Sequence, residues 1–222
     1  MSHTLTLAGQ TLTARASGAL FWAAQGVLCV SDLHLGKSER MARRAGTLLP
    51  PYETRDTLSR LEAEIDATGA RSILCLGDSF DDSASLDGLD DADRLWLLRL
   101  MAGRDWVWIA GNHDAGPLDI AGTHRAELML DGLTFRHIAA DGAMGEISGH
   151  YHPKARLAGK AWRCFLADST RVILPAFGTY TGGLWAEDPA FDGLFAPQGI
   201  AILCGGTSAR AIPKPRSSTK PR

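Results

Sequence analysis

Cysteine is scarce in this chain. The four residues, Cys29, Cys75, Cys164 and Cys204, lie far apart, each inside an apolar run (VLCV, ILCL, WRCF, ILCG). No CxxC pair occurs, which argues against a thiolate zinc site or a disulfide framework and for buried free thiols. Long hydrophobic runs are missing too. No stretch reaches the roughly 20 apolar residues of a membrane-spanning helix, and the N-terminal MSHTLTLAGQ has no basic start followed by an apolar segment. These absences point to a reduced, cytoplasmic protein with no membrane partner. Net charge is almost absent: 23 Lys and Arg against 25 Asp and Glu give −2. Bulk attraction to a polyanion is therefore excluded, and any such binding must come from a local patch. There is no internal repeat and no linker. The expectation is one domain over residues 1–210 and a flexible basic tail over 211–222, because ARAIPKPRSSTKPR carries five basic residues and no acid.

What is present reads as alternating strands and helices. Short Thr-rich runs at Leu5–Leu7 and from Thr11, then ALFW and GVLCVSD, predict strands of one sheet. A helix is expected within Lys37–Ala45 and a longer one after Pro50-Pro51. In the longer helix Leu58, Leu61 and Ile65 share a face, and Gly69 ends it. SILCLGD is a buried strand, Asp91–Met101 a helix with Leu95, Leu98 and Met101 on one face, and WVWIAGNHD another strand. That order argues for βαβ units and a partly parallel sheet. The second half has a different pattern, dominated by short strands. AELMLDGLTFRH predicts a hairpin at Asp131-Gly132, and GEISGH, AWRCFLAD, RVILPAF and GIAILC follow as further strands.

Four polar clusters stand where apolar runs stop: Ser31-Asp32-Leu33-His34, Gly77-Asp78, Gly111-Asn112-His113-Asp114 and Gly149-His150-Tyr151-His152. The C-terminal ends of parallel strands line a common crevice, so the clusters can converge. They offer carboxylates, imidazoles and an amide oxygen, a donor mixture for Mn, Fe or Zn. Period-two alternation puts residues 32 and 34 on one side of a strand end. Each cluster alone is an ordinary turn or cap; four of them in this order are specific.

This set, Asp32-x-His34, Gly77-Asp78, Gly111-Asn112-His113-Asp114 and Gly149-His150-x-His152, resembles the signature of the calcineurin-like metallophosphoesterases. SDLHLGKSERMARRAG, LGDSFDD, ISGHYHPKA and LPAFGTYTGG resemble more narrowly the ligase-associated bacterial endonucleases called PdeM. The chain departs from that pattern at Asp81, where a histidine is frequent. The resemblance implies an α/β four-layer sandwich, two mixed β-sheets face to face with helices outside. It implies two divalent metal ions, with manganese favoured and iron or zinc compatible. Asp32, His34 and His152 would hold the first, and Asn112, His150 and His137 the second, with Asp78 shared. His113 would protonate the leaving group and Asp114 would hold its other ring nitrogen. The implied activity is hydrolysis of phosphodiester bonds in DNA, single-stranded or nicked, during repair. Ligase, helicase or exonuclease partners are implied with it.

Lys37, Arg40, Arg43 and Arg44 follow the first motif with one acid among them, a net of +3. They are the expected contacts to a DNA backbone. Phe177, Tyr180 and Trp185 could stack on unpaired bases, with Phe177 better suited to the core. Against an extended duplex stand seven aspartates between Asp78 and Asp93, with no base among them. The alternative is a small-molecule nucleotide phosphoesterase of the same fold.

Overall fold

A computed structural model describes residues 2–46, 48–82 and 84–216. Two mixed sheets face each other. The first has seven strands in chain order: β1 (His3–Leu7), β2 (Gln10–Ala14), β3 (Leu20–Trp22), β4 (Val27–Val30), β5 (Ser72–Leu76), β6 (Asp105–Ile109) and β7 (Thr123–Arg125). Its first four strands are antiparallel; β4 to β7 are parallel. The second sheet contains β8 (Glu127–Leu130), β9 (Leu133–Arg136), β10 (Glu146–Ser148), β12 (Lys160–Ala167), β13 (Arg171–Ile173), β14 (Ile200–Leu203) and β15 (Arg210–Pro213) in the order β15-β14-β12-β13-β10-β9-β8; β11 (Lys154–Leu157) pairs with β12.

The apolar runs are nearly continuous because the central strands are buried on both faces. In β4, Val27 and Cys29 face the other sheet, while Leu28 and Val30 face the helices. In β12, Phe165 and Ala167 point inward, and Cys164 and Leu166 point outward. The layer between the sheets holds Trp22, Leu74, Ile109, Phe135, Ile147, Phe165, Val172 and Ile202. All four cysteines are buried and free.

The helices are α1 (Lys37–Ala45), α2 (Glu53–Thr68) and α3 (Asp91–Met101). Helix α2 buries Leu58, Leu61 and Ile65 against the first sheet and ends on Gly69 in the left-handed conformation. Helix α3 turns a different stripe inward than its spacing predicts. Leu97, Leu100 and Met101 are buried, whereas Leu95 and Leu98 are 68% and 39% exposed. The run LWLLRLM offers two leucine stripes with helical period, and the contact with α2 selects between them.

The expected sandwich of two mixed sheets flanked by helices is present, with few helices: the outer face of the second sheet is covered by the 184–195 segment, with a short 3-10 turn at Pro189–Phe191, and by no α-helix among the described residues. One expectation needs correction: the tail is placed too early. Residues 210–213 form β15 against β14, Ile212 packs on the outer apolar cluster, and the Lys214 ammonium lies 5.6 Å from the Phe191 ring. Backbone pairing along the edge of β14 outweighs the local charge. Lys220 and Arg222 lie outside the described residues. Among the described residues no helix is long and apolar enough to cross a membrane.

Candidate metal centre

The four clusters meet. Asp32, Asp78 and Asn112 follow the C-terminal ends of the parallel neighbours β4, β5 and β6; His137 and His150 follow β9 and β10 of the facing sheet. The site therefore sits where both sheets end together. Asp32 and His34 do not share a side through strand alternation, because β4 stops at Val30. Instead Asp32, His34, Asp78, His150 and His152 all have positive φ, between 46° and 72°. Non-glycine residues rarely adopt this conformation, and clusters of it mark sites where the surroundings impose the backbone. Here the loops are zipped together: the backbone N–H groups of Asp32, His34 and Leu35 donate to Gly77, Asp78 and Ser79, and that of Asp81 donates back to Leu35. A Cβ at Gly149 would overlap Ser31 Oγ, and one at Gly111 would overlap the Asp78 backbone nitrogen. These two motif glycines are required by close approach of chain segments.

Three ligand atoms converge in a first group: Asp32, His34 and His152. The Asp32 Oδ1, His34 Nε2 and His152 Nε2 atoms are buried and have no hydrogen-bond partner among the described residues. Unpaired buried polar atoms are costly, and three aimed at one point fit a cation. Asp32 Oδ1 lies 3.1 Å from His152 Nε2. Its other oxygen accepts from Ser31 Oγ at 2.5 Å and from the His150 backbone N–H at 3.0 Å. Burial pushes the Asp32 carboxyl up, but the adjoining His152 ring, the charge of His137 and the Ser31 hydroxyl hold it below its usual range.

A second group contains Asp78, His137 and His150. His137 Nδ1 donates to the Leu76 carbonyl at 2.8 Å, which leaves Nε2 with its lone pair. That Nε2 lies 3.0 Å from Asn112 Oδ1, 3.2 Å from His150 Nδ1 and 3.4 Å from Asp78 Oδ2. Ligands at about 2.1 Å from one cation stand roughly 3 Å apart when they subtend a right angle, so these spacings fit neighbouring vertices of one coordination shell. Burial raises the Asp78 carboxyl, yet the His137 hydrogen bond and charge and the His113 backbone N–H outweigh it and hold it at about 2. His137 is raised: burial works against its charged form, but Asp78 and Asp32 prevail. His150 is lowered by burial and by the charge of His137.

His113 is 37% exposed; its Nδ1 donates to the Asp81 carbonyl at 2.9 Å, and its Nε2 lies 4.0 Å from Asp78 Oδ2. Asp114 does not hold His113. It is buried and accepts from the backbone N–H groups of Gly111, Asp78, Ser79 and Phe80 at 2.7–3.2 Å. It is the clasp that shapes the Asp78 loop. Burial and the neighbouring Asp78 push its carboxyl up despite those four donors.

Asp81, the departure from the resembled pattern, is fully buried. Its Oδ1 lies 2.7 Å from His34 Nδ1 and 3.3 Å from Lys37 Nζ, and Arg40 binds its other oxygen. It holds the His34 ring with Nε2 facing the first group. Asp81 also changes the reading of α1. Lys37 and Arg40 are paired with Asp81; Arg43 with Asp82 at 3.2 Å and Glu39 at 3.1 Å; Arg44 with Asp82 at 2.9 Å. The patch expected to face DNA is instead spent on the acidic loop, whose charge the sequence shows but whose position it does not. Phe177 is core, Tyr180 packs on Tyr52 at 5.4 Å, and Trp185 is half-buried.

Ser31 and the 177–178 backbone also shape the site, and the sequence alone assigns them no role. The Phe177 and Gly178 N–H groups donate to the Ser31 and Asp32 carbonyls at 2.8 and 3.0 Å. The run LPAFGTYTGG carried the only signal, through resemblance.

The profile of the calcineurin-like phosphoesterases matches residues 26–204. The chain belongs to this family. The crystal structure of the nuclease MPE from Pseudomonas putida is similar to it, with a TM-score of 0.68, 29% identity, and coverage of 91% of this chain and 96% of the nuclease. A search of curated proteins finds no match. The chain is thus a hydrolase of phosphoesters, in a family that uses divalent metals, and the two groups above, with a third cluster of His34, Asp81 and His113, lie within the matched segment.

Proposed function

We propose that this protein is a two-metal phosphodiesterase acting as a DNA endonuclease. The observation that carries the reading is the convergence of three buried, unpaired ligand atoms, Asp32 Oδ1, His34 Nε2 and His152 Nε2, beside the second group at Asp78, His137 and His150. By the motif resemblance Asn112 would complete the second group and Asp78 would serve both. A bound divalent pair supplies positive charge to the phosphoryl oxygens and a water acidic enough to attack at neutral pH. The chain's own contribution is positioning. Asp81 and the Leu76 carbonyl fix the ring orientations of His34 and His137. His113, with Nδ1–H committed to the Asp81 carbonyl, presents Nε2 to the site as the group that protonates the leaving oxygen.

DNA as substrate is supported by the likeness to a nuclease over nearly the whole chain. Mixed nitrogen and oxygen donors without thiolate suit manganese, iron or zinc, and the motif resemblance favours manganese. A repair setting with ligase, helicase or exonuclease partners rests on the motif resemblance. The buried free cysteines fit a cytoplasmic setting. One observation favours the alternative of a small nucleotide substrate: every cation of α1 already has a carboxylate partner.

The test is hydrolysis, with manganese, of bis(4-nitrophenyl) phosphate, 4-nitrophenyl phosphate, and single-stranded and duplex DNA. Cleavage of the diester and of internal DNA bonds is the expected result. Activity on the monoester and on nucleotides alone would establish the alternative.

A further inference from the structure

The cations free of carboxylates near the centre lie on its other flank. Lys154 and Arg156 stand two residues apart on β11, so their side chains leave the same face about 6.6 Å apart. Both cover one indole: Lys154 Nζ is 4.6 Å, and the Arg156 guanidinium carbon 4.1 Å, from the centre of the Trp185 ring. The backbone locks this arrangement. Lys154 N–H donates to the Leu184 carbonyl and Ala186 N–H to the Lys154 carbonyl, both within 2.9 Å. Among the described residues neither cation forms an ion pair with a carboxylate. An aromatic face orients a cation without cancelling its charge, whereas a carboxylate partner cancels it, as in α1.

The strip begins at the metal centre. His152 precedes Lys154 by two residues, so their Cα atoms are at most about 7 Å apart. The Leu184 N–H donates to the Tyr151 carbonyl, and a Cβ at Gly183 would overlap the His152 carbonyl. Trp185 is half-buried and Arg156 exposed, so an oriented pair of charges and an aromatic edge face outward beside a ligand of the first group.

We propose that Lys154, Arg156 and Trp185 form the surface along which a single-stranded polynucleotide runs from the His152 side of the centre. The two cations take successive backbone phosphates, and the indole that both cover holds them in place. Positive charge that tracks the backbone holds unpaired strands without sequence preference. The inference rests on the nuclease reading above and names the path of its substrate.

The experiment measures binding of the manganese-loaded, full-length protein to a cleavage-resistant phosphorothioate oligodeoxynucleotide by fluorescence anisotropy across a salt series. Lys154→Gln/Arg156→Gln should reduce the log–log salt slope by about 1.4, or about 0.7 per lost phosphate contact. Arg156→Gln alone, at an exposed position, should remove half of that. Trp185→Leu, which frees both cations without removing their charge, should weaken binding with a smaller change of slope than the double variant. Arg43→Gln/Arg44→Gln should leave the slope as in the wild type. Unchanged affinity and slope in the Lys154/Arg156 variants would overturn the proposal, as would tighter binding of duplex with the same dependence, or loss of metal in Arg156→Gln by elemental analysis. The two readings fail separately. A wild type that binds through Lys154 and Arg156 but cleaves no DNA sinks the nuclease; one that cleaves DNA while binding ignores both residues sinks the surface.

Discussion

At the scale of the residue, the candidate centre is built from lone pairs left over where the other side of a ligand side chain is engaged by its neighbours. His137 commits Nδ1 to Leu76, His34 turns Nδ1 to Asp81, and Asp32 commits one oxygen to Ser31 and His150. What remains faces inward. Asp78→Ala should therefore lose metal and activity together, with turnover at background, because no neighbouring carboxylate can take its place between His137 and His113. Elemental analysis and diester hydrolysis check this; two bound metals with near-normal turnover would contradict it. His113 has a different consequence, since its nitrogen is held toward the site but belongs to neither the first nor the second ligand group. His113→Ala should keep the metals and slow esters with alkoxide leaving groups by about 10²–10⁴-fold, with little loss on nitrophenolate, which departs without a proton. Equal losses on both would reject the role of proton donor.

At the scale of the element, carboxylates act as fasteners between segments distant in sequence. Glu53 at the start of α2 accepts from the Ser38 backbone and hydroxyl at 2.9 and 2.7 Å, which seats the first turn of α1 beside the His34 loop. Asp114 clasps the 78–80 backbone. Asp168 does the same in the second sheet, accepting from the Thr170, Arg171 and Ala196 N–H groups at 2.7–3.0 Å. Burial pushes the Asp168 carboxyl up, but those backbone donors outweigh it and hold it below its usual range. A carboxyl whose folded pKa is depressed stabilises the fold above its unfolded pKa of about 3.9 and loses that contribution as pH falls through the folded value. Asp168→Asn should thus cost about 1.5–3 kcal/mol at pH 7. The gap from wild type should close below about pH 3.9. Denaturant titrations at the two pH values measure the gap; one that widened in acid would reverse the sign.

At the scale of the whole molecule, the centre is a joint between two sheets, and its charge is unbalanced without cations. Asp32 and Asp78 bring carboxylates into one buried space from the first sheet, while His137 and His150 arrive from the second. Divalent metal should therefore stabilise the entire fold by linkage, by about 2.7 kcal/mol at a hundredfold excess over Kd. For a chain of this size that is roughly 5–11 °C in Tm. Calorimetry with manganese and after chelation reads it directly. An unchanged Tm, with metal shown to bind, would mean that the unfolded chain binds it as tightly and that no folded centre holds it.

The alternation of elements and the chemical kind of the centre were legible in the residues alone. Periodicity placed α2 on its Leu58, Leu61 and Ile65 face. Donor-rich residues stood wherever an apolar strand ended, because buried strands must be apolar and their ends are where polar groups become possible. His137, alone at the end of LTFRH, was picked out only through the motif resemblance, and the structure groups it with Asp78 and His150. Everything that depends on which segments meet was decided by folding. The α1 cations bind Asp81 and Asp82, forty residues away in sequence. Asp114 turns to the backbone of the loop after β5 and away from its neighbour His113. Leu97, and not Leu95, enters the core, and residues 210–213 find an edge to pair with. In each case the residue type specified what could be bound. The choice of partner was settled by burial, since a carboxylate or a backbone N–H taken out of water must be satisfied by whichever group the fold brings within reach.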